Sequence, residues 1–305
     1  MEKWLRNFFL YLSQNRMMTR LAKKYGLRLG AARFVAGSSL EEAVEAIKAL
    51  NEKGLAVTVD YLGEFIDNKA DTVERVNQCI KMIEVIRKEK LDAQLSVKLT
   101  SMGLDLSREL ALENMKKILS KAEECQVFVT IDMEDYSRCQ MTIDIFKELR
   151  QQYDYLGTVI QAYLYRAQQD IQDLKKLKPH LRLVKGAYKE SPEVAFPVKK
   201  DVDENLIKLI KMHMLNGNYT AVASHDDRMI EETIKFVKEK NIPLSQFEFQ
   251  MLYGIRPERQ QELADKGYLM RVYLPYGTDW YGYFMRRLAE RPANVWFVIK
   301  GLIKK

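Results

Sequence analysis

The chain of 305 residues holds only three cysteines, Cys79, Cys125 and Cys139. They are odd in number, far apart, and lack any Cys-x-x-Cys or Cys/His spacing, which excludes a zinc ribbon or a disulfide framework and points to a reducing compartment. Histidine is as scarce, at His180, His213 and His225, and no His/Asp ligand set accompanies it, so a catalytic metal is not expected. No apolar run approaches the roughly 18 residues of a spanning helix, and the mean hydropathy is −0.32. The chain therefore reads as soluble, or at most bound to a membrane surface. The start, MEKWLRNFFLYLSQNRMM, has too short an apolar stretch for a signal peptide and no small-residue cleavage site. Linkers and low-complexity tracts are also missing, as is the Gly-x-Gly-x-x-Gly turn of many dinucleotide sites.

What is present is a balanced composition, 47% hydrophobic and 30% charged, with 49 basic against 42 acidic residues and a net charge of +7. Residues 1–40 contain eight basic side chains and one acidic one, so all of the net charge lies in this segment. The body is neutral, which argues against a nucleic-acid face on it and against nucleic acid as a partner.

Eight short β-rich apolar runs recur at residues 56–64, 93–100, 128–135, 157–164, 181–188, 219–226, 247–254 and 269–277. Between them lie segments such as 72–90 and 108–125, where apolar residues repeat at three- and four-residue steps, the helical period. Strands separated by helices pair in parallel through right-handed crossovers. Eight such units in about 250 residues predict an α/β fold of the closed (βα)8 TIM-like barrel type. An open doubly wound sheet is the alternative. The expected organisation is an N-terminal helical arm over residues 1–50 packed on a barrel over 51–305.

The active site of such a barrel forms at the carboxyl ends of its strands. In AQLSVKLT, alternation puts Leu95, Val97 and Leu99 on the helix-covered face and Ser96, Lys98 and Thr100 inside; in FVTIDMED it turns Thr130, Asp132 and Glu134 inward. A lysine and an aspartate in a lumen are costly unless they pair or meet a charged ligand, and a structural Lys98–Asp132 bridge is one resolution. Gln161, Arg182, Lys185, His225, Gln250 and Tyr273 also fall near strand ends, and polar residues on so many strands predict a shared pocket. His180 and His213 read as surface or packing residues. After the eighth run, DWYGYFMRRLAERPAN (279–294) predicts a helix of about three turns with Asp279 as N-cap and Pro292 as stop. Its Arg286 and Arg287, steadied by Glu290, form either a solvated salt-bridge face or a clamp for an anion.

The stretch RVYLPYGTDWYGYFMRRLAERPAN resembles the C-terminal signature of flavin-dependent proline dehydrogenases, and the likeness runs in order through VKLT, IDMED, VIQAYL, LRLVKGAY, ASHD and FEFQMLYGI. It covers residues 50–295 and is closest to the monofunctional bacterial form. The resemblance implies a distorted barrel with its last helix over the strand ends and non-covalent FAD. It implies oxidation of L-proline to Δ1-pyrroline-5-carboxylate by hydride transfer from C5 to flavin N5, with a membrane quinone as electron acceptor. Carried over by position, Arg286, Arg287 and Lys98 hold the proline carboxylate, Glu290 and Asp132 orient those cations, and Tyr273 packs on the ring. Arg182 sits beside the flavin; Met133, Gln161, Lys185, Gly186, Ala187, Ser224 and His225 contact FAD. For Gly186 the missing side chain lets the cofactor approach.

Two departures stand out from the family pattern: Thr278, and Tyr281-Gly282, replace an acidic residue and an aromatic-Pro pair. A rival reading makes Lys98 or Lys185 a Schiff-base lysine of an aldolase-like barrel, but leaves the arginine pair unexplained. The basic arm places Trp4, Phe8 and Leu12 on one helical face, and a reversible peripheral hold on the inner face of the cell membrane would explain it in a cytoplasmic enzyme.

Overall fold

In a computed structural model, residues 33–63, 66 and 68–290 are described, the last five by backbone alone. Eight parallel strands, β1 (Ala56–Tyr61), β2 (Ala93–Val97), β3 (Val129–Ile131), β4 (Leu156–Gln161), β5 (His180–Val184), β6 (Thr220–Ala223), β7 (Phe247–Leu252) and β8 (Met270–Tyr276), pair in sequence order. Pairing of β1 with β8, Thr58 opposite Tyr273, closes the barrel. Helices alternate with the strands: α1 (Leu40–Asn51) precedes β1, and α2 (Lys69–Lys88), α3 (Arg108–Cys125), α4 (Tyr136–Arg150), α5 (Ala167–Leu174), α6 (Lys199–Leu215), α7 (Asp227–Lys240) and α8 (Pro257–Asp265) connect successive strands. A last helix, α9 (Trp280–Glu290), follows β8 at the mouth. All eight expected strands are present, and α2 and α3 cover the segments whose period is helical.

The local sequence sets the boundaries. Ser39 begins α1 with a capping box, its hydroxyl accepting the Glu42 amide while the Glu42 carboxylate accepts the Ser39 amide, both at 3.2 Å. Asn68, Ser107 and Asp226 cap α2, α3 and α7, and Pro257 opens α8. The expected runs are longer than the strands because each continues into a βα loop. Thus β2 ends at Val97, and Thr100, expected on the lumen face, starts a 3₁₀ turn where its amide and hydroxyl bond Glu134 at 3.1 and 2.5 Å.

The outward positions Val57, Val59, Leu95, Val129, Leu181, Leu183, Met270 and Val272 are fully buried under the helices in one continuous apolar layer. The lumen is the reverse. Register aligns Asp60 with Ser96, Ser96 with Thr130, and Gln250 with Arg271, so polar side chains fill the interior. A second, smaller apolar cluster sits at the mouth: Phe34, Val35 and Leu62 against Trp280, Tyr281, Tyr283, Phe284 and Met285. Tyr281, one of the departures from the family pattern, is buried there beside Trp280.

Among the described residues no helix is long and apolar enough to cross a membrane. Most of the expected N-terminal arm, residues 1–32, lies outside the described residues, as do Pro292 and the C-terminal VWFVIKGLIKK.

Candidate active site

Five strands contribute to one buried ionic cluster at the carboxyl end of the lumen. Its centre is Asp132, just past β3. Arg182 from β5 bonds Asp132 Oδ1 at 2.5 Å and donates to Ser96 Oγ at 3.0 Å, while Ser96 donates to the same carboxylate at 3.1 Å. From β8, the Tyr273 hydroxyl donates to Asp132 Oδ2 at 2.6 Å, and the Arg182 guanidinium lies 5.2 Å from the centre of the Tyr273 ring. Lys98 stands 3.6 Å from Asp132 Oδ2 but only 2.7 Å from Asp60 Oδ2, on β1. The expected Lys98–Asp132 pair is thus a bridge in which Asp60 is the nearer partner.

The two carboxylates sit in different electrostatic surroundings. Burial alone would raise the Asp132 carboxyl, but Arg182 and then Lys98, with hydrogen bonds from Tyr273 and Ser96, hold it below the usual range. For Asp60, burial outweighs Lys98, and the Asp132 charge pushes it further up. Burial, then Asp132 and Asp60, raises the Tyr273 phenol well above its ordinary value, so it remains a donor. Glu134 is also raised, by burial that its bonds to Thr100 only partly offset. Two carboxylates facing two cations give a cluster with no net charge.

The residues expected around a cofactor are distributed along the neighbouring strand ends. Met133 and Gln161 are buried at the ends of β3 and β4. Lys185 forms ion pairs with Asp203 at 2.6 Å and Asp226 at 2.7 Å. Ser224 accepts the Asp226 amide at 3.2 Å, and Ala187 is exposed. Nε2 of His225 accepts the Leu252 amide at 3.0 Å, which ties the loop after β6 to β7. Gly186 has φ +113°, and a Cβ there would lie 2.4 Å from the Tyr163 ring. Glycine is therefore favoured there by backbone conformation and by the nearby Tyr163 ring. Lys98 and Lys185, the lysines of the rival reading, are both engaged by carboxylates.

Gln250 lies mid-strand in β7 and donates to Glu248 at 2.5 Å, and with Thr130, Arg182 and Glu248 it lines a small cavity inside the barrel. His180 and His213 are packing residues: His180 stacks between Phe128 and Tyr219, and His213 is fully buried. The segment 189–203 is pinned to the mouth wall by Glu190, which accepts the Tyr136 amide, and by Phe196, whose amide donates to Tyr163. Arg286, Arg287 and Glu290 belong to α9, but their side chains lie outside the described residues. Sequence reasoning missed Asp60, although Thr58 and Asp60 alternate with Val57 and Val59 as Ser96 and Lys98 do with their neighbours. It also missed the buried pair Glu248–Arg271.

A closed parallel barrel with an ionised cluster at the carboxyl ends of its strands is the architecture of a (βα)8 enzyme. The family model described as proline dehydrogenase matches residues 43–300, and the chain belongs to that family. It is 58% identical to proline dehydrogenase 1 of Bacillus subtilis strain 168 over 301 residues, covering 99% of this chain and 100% of the relative. Proline dehydrogenase 2 of the same strain is 53% identical over 300 residues, 98% of this chain and 99% of the relative. Among solved structures, proline utilization A from Bdellovibrio bacteriovorus, inactivated by N-propargylglycine, superposes with a TM-score of 0.81 at 28% identity; 90% of this chain matches 34% of that longer one.

Proposed function

We propose that this protein oxidises L-proline to Δ1-pyrroline-5-carboxylate with FAD and passes the electrons to a membrane quinone, the opening step of proline degradation to glutamate. The observation that carries this reading is the charge balance of the lumen. Asp60 and Asp132 already offset Lys98 and Arg182, so an incoming carboxylate needs cations of its own, and Arg286 and Arg287 on α9 supply them. Lys98, although its charge is offset, would extend a remaining N–H to the same carboxylate as a third contact, Glu290 would orient the arginines, and Tyr273 would offer its ring to the apolar side of proline.

Two buried atoms without a hydrogen-bond partner among the described residues, the acceptor Gln161 Oε1 and the donor Arg182 Nε, suit an isoalloxazine edge, which carries both donors and acceptors. Met133, through its backbone, with Lys185, Gly186, Ala187, Ser224 and His225, would hold the rest of FAD. When bound, FAD supplies N5 as acceptor for the hydride leaving proline C5 and is reoxidised by the quinone. Asp132 keeps Arg182 in place as a fixed positive charge. Catalysis then rests on alignment and needs no protein nucleophile. Because a protonated amine cannot release hydride, turnover rises with pH as bound prolinium loses its proton.

The purified protein is expected to be yellow, and anaerobic L-proline to bleach its flavin band; a colourless protein forming a borohydride-trapped lysine adduct would overturn the reading. The basic, aromatic arm of residues 1–40 supports a peripheral hold on the inner face of the cell membrane, close to the quinone. Liposome sedimentation of a yellow variant lacking residues 2–20 tests this: unchanged lipid binding would remove the arm from that role.

A further inference from the structure

Helix α2 carries an arginine whose contacts all lie at the rim of the barrel. The Arg75 guanidinium donates through Nη1 to the Leu62 carbonyl at 2.9 Å and pairs through Nη2 with Asp279 at 2.9 Å. It lies 5.0 Å from the centre of the Tyr61 ring. It also fills the space beside Gly63, where a Cβ would stand 1.5 Å from Nη1. Gly63 does not adopt a left-handed φ, and the atoms that a side chain there would displace are those of the Arg75 guanidinium. The side chain is only 16% exposed, and that of Asp279 23%. One cation thus joins three parts of the molecule: the end of β1, helix α2, and the residue immediately before α9.

We propose that Arg75 is a positioning residue that staples the start of α9 to the rim after β1 and so fixes where Arg286 and Arg287 stand. The inference rests on the reading of α9 as the carboxylate clamp, but the staple itself is a statement about the first turn of the helix. Its geometry suits that task. Asp279 lies at the helix N-terminus, where a carboxylate already interacts favourably with the macrodipole. Holding that carboxylate fixes the helix at the end where it leaves β8, two turns from the arginines. The Leu62 carbonyl and the Tyr61 ring fix Arg75 in turn, so the contact does not rely on two flexible side chains finding each other in water. Gly63 leaves the guanidinium room to lie flat against the strand end.

The test uses the full-length, FAD-loaded protein as wild type, Arg75→Met, Gly63→Ala, and the double variant Arg75→Asp/Asp279→Arg. Gly63→Ala removes no charge and expels the guanidinium by volume alone, so it remains informative if Arg75→Met folds poorly. Amide hydrogen exchange is read across residues 278–290 and across the strands, together with kcat and KM for L-proline. Losing a charge-assisted contact predicts exchange about tenfold faster in 278–290 in both single variants, with the strand amides unmoved. KM for proline rises about tenfold while kcat stays within about twofold, and the charge swap recovers part of both changes. Unchanged exchange at α9 in Gly63→Ala and Arg75→Met would overturn the staple. So would faster exchange spread evenly over α9 and the strands, with kcat and KM altered together, since that describes a merely structural residue. Failure of the functional reading is separate, because it shows in the wild type as a flavin band that proline does not bleach.

Discussion

The lumen holds two buried ionic networks, one at the floor and one at the mouth, and they are built on different terms. At the floor, Arg271 shares its Nε proton between both oxygens of Glu248, at 3.1 and 2.9 Å, and donates from Nη1 to the Val57 carbonyl. Tyr219 and Gln250 add donors to the same carboxylate at 2.9 and 2.5 Å. Glu248 is 1% exposed and is fully engaged by this chain's own donors. At the mouth, two carboxylates share Lys98 and are driven in opposite directions, and Arg182 keeps an Nε without a partner among the described residues. The Glu248 carboxylate is thus saturated by donors from one arginine, a tyrosine and a glutamine, whereas at the mouth one lysine is divided between two carboxylates.

The sharpest way to break the comparison is to unpair the floor. Glu248→Gln leaves the Arg271 charge buried and should cost about 3–5 kcal/mol, seen as a lower urea midpoint, while the surviving folded protein keeps its KM for proline. At the mouth, Asp132→Asn also leaves a buried arginine unpaired, but there we expect in addition a fall of about 100-fold in the rate of flavin reduction by proline, measured by anaerobic stopped flow. Equal stability losses at the two sites with equal kinetic effects would erase the distinction.

The smallest expected effect is on acid stability. Burial lowers both floor-side imidazoles, His180 and His213, to about 4. A histidine with a depressed folded value is neutral in the native state, so its contribution is present above the unfolded value near 6.5 and is lost as pH falls from there toward 4. Wild type should therefore lose urea resistance between pH 6.5 and 4.5 more steeply than His213→Gln, with little difference between them at pH 8. Parallel curves would show that the floor imidazoles are not the acid-labile groups.

The barrel was legible in the sequence because its outer face is so regular: Val57 and Val59, Leu95 and Val97, and Leu181 and Leu183 repeat at the strand period and end up fully buried or nearly so. Lys98, Asp132, Arg182 and Tyr273 were legible by the same alternation, since each stands at a polar inward position between apolar residues that face the helices. Asp60 was not, because one acidic residue after four apolar or hydroxylated ones reads equally well as a strand-end cap. Glu248 and Arg271 lie nearer the amino ends of their strands, where no site is expected and only the closed barrel shows that they meet. Arg75 was illegible for a different reason. It sits on an amphipathic helix where an arginine ordinarily faces water, and its partner is 204 residues away.

Closure of the barrel through β1 and β8, with Tyr61 opposite Tyr276, also sets an order of events in the cell. As the chain leaves the ribosome at about 5–20 residues per second, the edge of β1 has no lasting partner on that side for roughly 10 to 40 s after its own synthesis. During that interval Asp60 and Lys98 are on an open sheet, Tyr273 does not yet exist, and an unpaired strand edge is exposed to other nascent chains. The mouth of this barrel is completed only with its last strand and helix. A stalled or truncated product is therefore an unclosed sheet rather than a slower enzyme, and that makes it a natural client for a chaperone.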